Sequence, residues 1–190
     1  MLVRFFNKLK HPFFFYIPDR VKDGYGASTQ LFKKLIHKKP KLVILVDCGS
    51  TSNKAIEFLN KNKIKSIIID HHEINKPFPK ANSIINPKKD KNLEQYEYLC
   101  ATTLVYFFID LLILKTKIKL NIEDYLIYVL LATVCDVMPL RKLNRLIALH
   151  ILNNFKVDSN KFFKEIFSIT KKKNYITIND LGYLFGPILN

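Results

Sequence analysis

The chain has 190 residues, 48% of them hydrophobic and 25% charged, and carries 31 basic against 16 acidic side chains for a formal charge of +15. That balance excludes a disordered polymer and fits one ordinary domain or two small lobes. Cys48, Cys100 and Cys135 are odd in number and have no CxxC spacing, which argues against a disulfide framework or a zinc knuckle and for a reducing, cytoplasmic setting.

The excess positive charge suits a polyanionic partner, because neutralised phosphates release their condensed counterions. Arg4, Arg20, Arg141 and Arg145 are the only arginines, however, and lysine, asparagine and isoleucine abound, as an AT-biased coding sequence would give. Both readings of the charge stay open. The longest apolar run, 104–114, contains Asp110 and falls short of the roughly 20 residues a bilayer span needs. No membrane span is expected. Residues 1–10 are amphipathic and basic but lack the apolar core and cleavage site of a signal peptide.

In chain order, three runs rich in β-branched and aromatic residues, 13–17, 42–46 and 64–69, predict strands. Each is unbroken rather than alternating, so both faces are expected to be covered. Helical periodicity lies between them, at Leu31, Leu35 and Ile36, then at Ile56, Phe58 and Leu59. A weaker strand is expected at 83–85, between turn-prone segments 76–82 and 86–91. Beyond Glu94 the pattern turns helical, over 98–114, 122–134, 143–152 and 162–167. The fold class is therefore α/β, a parallel β-sheet with flanking helices followed by a helical second half. The basic block 171–173 precedes a last segment, 175–190, in which no closing element is evident.

Ligands of an open parallel sheet bind outside the carboxyl ends of its strands. Asp47 stands there, followed by Cys48, Gly49, Ser50 and Thr51, which suit a tight turn into a helix. Asp70, His71 and His72 follow the next strand, and Asp136 follows the helix ending at Val134. Carboxylates with imidazoles suit hard divalent ions such as manganese or magnesium and point to metal-assisted phosphoester hydrolysis. Each member also has an ordinary reading. An Asp after a strand is commonly a turn or cap residue, and Asp136 near Pro139 can simply end a helix. Adjacent histidines on an extended chain point to opposite sides, so one at most is expected to face a given metal. Cys48 and Cys135 read as packing residues.

The segment Ile67-Ile68-Ile69-Asp70-His71-His72 resembles the signature of the DHH phosphoesterases, and the order of its neighbours is similar to the RecJ-like exonucleases of that family. Tyr16-Ile17-Pro18-Asp19-Arg20 with Asp23-Gly24-Tyr25-Gly26, Val46-Asp47-Cys48-Gly49, Ile85-Asn86-Pro87-Lys88 and Leu99-Cys100-Ala101 follow family segments in order. So do Ala132 through Leu140, Asn144-Arg145, Leu181-Gly182-Tyr183 and Gly186-Pro187.

The resemblance implies that Asp47 bridges two metals, that His71 and Asp136 hold one of them, and that Asp70 orients His71. It implies that His72 contacts the scissile phosphate or assists the water, that Arg20 and Arg145 meet phosphates or hold structure, and that the substrate is single-stranded DNA cut from its 5′ end. It further implies that 1–150 is a DHH core and 151–190 a helical connector toward a further domain. Two departures stand out. The family opens with an Asp-x-Asp motif on a strand inside the sheet, whereas this chain begins Met1-Leu2-Val3-Arg4-Phe5, and Ile188 stands where the family has arginine. The expectation is a portion of an exonuclease shortened at both ends and impaired in activity, whether a split-gene subunit whose first motif a separate chain supplies, a decayed reading frame or a mis-called start. The alternatives are a non-catalytic DHH scaffold binding DNA or a partner protein, and a phosphoesterase acting on short oligonucleotides or pyrophosphate.

Overall fold

The computed structural model describes residues 1–171 and 175–189. Three parallel strands, β1 (Leu42–Val46), β2 (Lys65–Ile69) and β3 (Ser83–Ile85), pair in the order β1-β2-β3, with Leu42 opposite Lys65 and Ile67 opposite Ser83. Helices α1 (Leu2–Lys8) and α2 (Thr29–Leu35) precede the sheet, and α3 (Asn53–Lys61) crosses from β1 to β2. The helical half comprises α4 (Ala101–Thr116), α5 (Leu126–Cys135), α6 (Lys142–Asn154) and α7 (Lys161–Ile169). The expected fold class is the observed one.

Side chains alternate across β2, so its consecutive isoleucines serve two different cores. Ile68 packs with Phe32, Leu45, Ile56 and Leu59 beneath α2 and α3, while Ile69 packs with Phe5, Leu104, Val105, Ile109 and Tyr125 beneath α1 and α4. A third core is wholly helical, where Phe163 and Phe185 meet at a tilt with ring centroids 4.6 Å apart among Ile127, Leu130, Ile151 and Leu181. Each buried Phe or Leu there contributes roughly 1.5–3 kcal/mol of transfer free energy.

Three expectations are corrected. Residues 13–17 form no strand: among the described residues their backbone makes no ladder, and Phe14, Phe15 and Ile17 are exposed. Pro12 and Pro18 bracket the run, and proline supplies no N–H to a sheet. Coverage of both faces holds for β2 but not for β1, an edge strand that leaves Leu42 and Val46 exposed. Finally, 178–189 is not an open end. It is continuously helical, capped by reciprocal bonds between Thr177 and Asp180, and it seats Leu181 and Phe185 fully in the helical core. Of the basic block, Lys172 and Lys173 lie outside the described residues, as does Asn190.

Candidate metal centre at the sheet's carboxyl edge

Asp47 closes β1 in a left-handed conformation, φ 60°, with its N–H donating to Ile69 O at 2.9 Å. Aspartate tolerates that region better than most residues. Gly49 follows at φ 113°, and a Cβ there would sit 3.1–3.2 Å from Leu45 and Ile68, so the chain can turn this tightly only because position 49 is glycine. The turn delivers the Ser50 N–H to Asp70 Oδ2 at 3.0 Å.

Asp70 is 1% exposed and the most heavily bonded carboxylate of the site. Beside Ser50, its Oδ1 accepts from the His71 N–H at 2.8 Å and lies 2.7 Å from His72 Nδ1. Burial pushes its carboxyl up, but the bonds from Ser50 and His72 outweigh this and hold it below the usual range. An ionised acceptor at Nδ1 fixes the neutral imidazole as the Nδ1–H tautomer, leaving the Nε2 lone pair of His72 turned toward Tyr25 Oη, 3.5 Å away. Asp70 therefore orients the His72 ring, and it meets His71 through that residue's main chain rather than its imidazole. This corrects the implied role.

His71 Nε2 lies 3.3 Å from Asp47 Oδ1 and 4.0 Å from Asp136 Oδ2. Donation from Nε2–H to the Asp47 carboxylate raises the His71 imidazole above its ordinary value, against the opposing effect of burial. Burial, joined by the Asp47 charge, raises the Asp136 carboxyl. The two imidazoles do not point apart: their centroids are 4.7 Å apart, and His72 Nδ1 is 3.9 Å from the same Asp47 oxygen. Strand alternation does not apply, because both residues lie beyond β2 in a bend. Asp47, His71 and His72 each offer a donor atom within 4.8 Å of the others.

These donors fit a hard divalent ion. Metal bonds of about 2.1 Å in an octahedron place adjacent donors about 3 Å apart and opposite ones about 4.2 Å apart. The His71 Nε2 separations of 3.3 Å to Asp47 and 4.0 Å to Asp136 fall in that span. The donors mutually within 4.8 Å are those of Asp47, His71 and His72, with Asp136 at the margin of the cluster. Asp136 arrives from the helical half as the C-cap of α5. After it the Val137 N–H bonds Val134 O at 3.1 Å and the Met138 N–H bonds Thr133 O at 2.9 Å, the two bonds of a Schellman motif, with Val137 at φ 53° where glycine is usual.

Arg20 is exposed, and its charge is felt at the Tyr25 phenol, which burial raises and Arg20 lowers. Arg145 is exposed on α6 with no side-chain partner among the described residues. Neither is brought into the cluster. The sequence placed Ser50 in the turn after Asp47 and Asn86 and Asn144 within family segments, but assigned none of them a part in the site. Asn86 Nδ2 donates to Ser50 Oγ and His72 O, and Asn144 Nδ2 donates to Tyr98 O at 2.8 Å and Pro139 O at 3.0 Å, fastening the turn behind Asp136. The signals for them were the turn after Asp47 for Ser50 and the Asn86-Pro87 and Asn144-Arg145 segments for the two asparagines.

The chain matches the profile of the DHH family, N-terminal domain, over residues 1–133. It is 28% identical over 184 residues to the single-stranded-DNA-specific exonuclease RecJ of Haemophilus influenzae, covering 92% of this chain and 32% of that protein. Against RecJ of Bacillus subtilis it is 27% identical over 188 residues, covering 97% and 23%. It spans a third or less of these relatives' length. Among solved structures it is similar to exonuclease RecJ bound to manganese, with a TM-score of 0.81 at 21% identity, covering 100% of this chain and 47% of that one. RecJ of Thermus thermophilus in complex with Mn2+ gives a TM-score of 0.78 at 18% identity, covering 98% and 26%. The parallel sheet, the carboxylates and imidazoles at its carboxyl edge and the matched profile agree: the chain belongs to the DHH family and is RecJ-like within it.

Proposed function

We propose that this chain is the core of a metal-dependent phosphodiesterase that degrades single-stranded DNA from its 5′ end. The observation that carries the reading is the convergence of Asp47, His71 and Asp136 from three separate elements, at 3.3 and 4.0 Å about one imidazole nitrogen. Those three residues would hold manganese or magnesium, which when bound would polarise the phosphoryl oxygen and acidify the attacking water. Asp70 and His72 form the catalytic pair. Asp70 keeps the proton on His72 Nδ1, so that Nε2 faces the phosphate or its water as an acceptor, and the buried carboxylate stabilises the ring once it is charged. Arg20 and Arg145 meet DNA phosphates outside the cluster.

Residues 1–150 act as the DHH core and 151–190 as a helical connector, in a cytoplasmic setting consistent with three free cysteines. In this reading the remaining metal donors, of the Asp-x-Asp type, come from polypeptide outside 1–190, in a separate chain or the same one.

Titrating the purified chain with manganese should show weak single-site binding that His71→Ala and Asp136→Ala each reduce at least about tenfold. Binding left unchanged by both would overturn the ligand assignment. Labelled single-stranded DNA should be degraded only slowly by these residues alone. Processive degradation abolished by Asp47→Ala would show that no outside donor is needed.

A further inference from the structure

We infer that Asn86 is a positioning residue for His72, acting through the main chain of the Asp70-His71-His72 bend. The inference rests on the reading in which His72 takes part in the reaction. Asn86 follows β3, is 2% exposed, and touches neither Asp47 nor the imidazoles among its hydrogen-bond partners. Its Nδ2 lies 2.8 Å from Ser50 Oγ and 2.9 Å from His72 O, while its Oδ1 accepts the Lys88 N–H at 2.9 Å. A primary amide has two N–H groups, so both donations can be made at once. The orientation is also determined. Turning the amide over would face Oδ1 to the His72 carbonyl and NH2 to the Lys88 N–H, opposing like groups at both ends.

Asn86 thereby ties together the segments that follow all three strands: Ser50 after β1, His72 after β2 and itself after β3. For His72 the consequence is specific. Asp70 pins the ring at Nδ1, and Asn86 pins the residue's own carbonyl. Either point alone leaves the residue a pivot; the two together fix where Nε2 faces. Aspartate at position 86 has nearly the same shape but, when ionised, donates nothing and sets an oxygen against the His72 carbonyl.

The test uses the metal-free chain and the ring nitrogen resonances of His72, which report tautomer and orientation and need neither manganese nor activity. In the native chain they should show one Nδ1–H form. Asn86→Asp should move them toward tautomer-averaged positions, whereas Asn92→Asp, the same change at an exposed position, should leave them in place. Ring signals of Asn86→Asp that superimpose on the native ones would overturn the proposal, and so would an equal displacement in Asn92→Asp. Should Asn86→Asp fail to fold, the unaltered protein still decides: the Asn86 side-chain NH2 should exchange with deuterium at least about tenfold more slowly than that of exposed Asn92, and unprotected exchange would defeat the assignment. Manganese titration of His71→Ala tests the metal reading separately.

Discussion

Asp47 and Asp136 flank the same imidazole but come from opposite kinds of structure. Asp47 ends a strand, its N–H fixed to Ile69 and its left-handed backbone suited to aspartate. The adjoining Asp70, Ser50 and Asn86 form a buried network in which donors and acceptors are matched. Asp136 ends a helix whose C′ residue is Val137, a β-branched side chain 87% exposed and held at positive φ. Such a residue stores of order 1–3 kcal/mol of strain. The sheet side of the centre is rigid by hydrogen bonding, and the helical side is held by Asn144 from behind at the expense of local strain.

Asp70→Ala would break this contrast most severely, because it leaves buried N–H donors at Ser50 and His71 unpaired. We expect a loss of about 3 kcal/mol in urea unfolding. Asp136→Ala removes no hydrogen bond among the described residues, so it should weaken manganese binding about tenfold, or about 1.4 kcal/mol, while shifting stability by less than about 0.5 kcal/mol. Equal effects of the two substitutions on stability would erase the distinction. Val137→Gly sharpens it in the other direction. Relief of the left-handed strain exceeds the added freedom of the unfolded chain, and a gain of about 0.5–1 kcal/mol is expected in the same measurement.

The smallest effect concerns Asp23, away from the centre. Its carboxylate accepts from Lys34 Nζ at 2.7 Å and from Tyr16 Oη at 2.6 Å, and these bonds lower its pKa to about 2. A depressed carboxyl contributes stability above its unfolded value near 3.8 that is lost as pH falls toward 2. Proteolytic cleavage within 13–27 should therefore accelerate between about pH 4 and pH 2, read with an acid protease, and Asp23→Asn should flatten that dependence.

The strands at 42–46 and 83–85 were legible residue for residue, because β-branched runs bounded by turn residues have few other solutions. Residues 13–17 have the same composition and failed. Strand formation needs a partner across a ladder, and pairing is non-local information that composition does not carry. At the centre, the strand ends and the resemblance singled out Asp47, His71, His72 and Asp136 together. The partner of Asp70 was misassigned because it depends on a bend, where the two-residue alternation of a strand lapses. Asn86 and Ser50 stayed hidden for a related reason. Asparagine and serine fill turns throughout this chain, and what sets these two apart is burial combined with bonds to the Asp70-His71-His72 bend.

Phe5, buried to 1% against Leu104, Ile109 and Tyr125, has a consequence for the order of events during synthesis. Its partners lie about 100 to 120 residues downstream, which at about 5–20 residues per second means a delay of roughly 5–25 s before they emerge. Until then α1, seven residues long and marginal as an isolated helix, has nothing to dock on. An element translated well ahead of its partners is thus among the last to settle, and nascent chains stalled before position 105 should leave residues 1–10 open to protease while those stalled well past position 150 protect them.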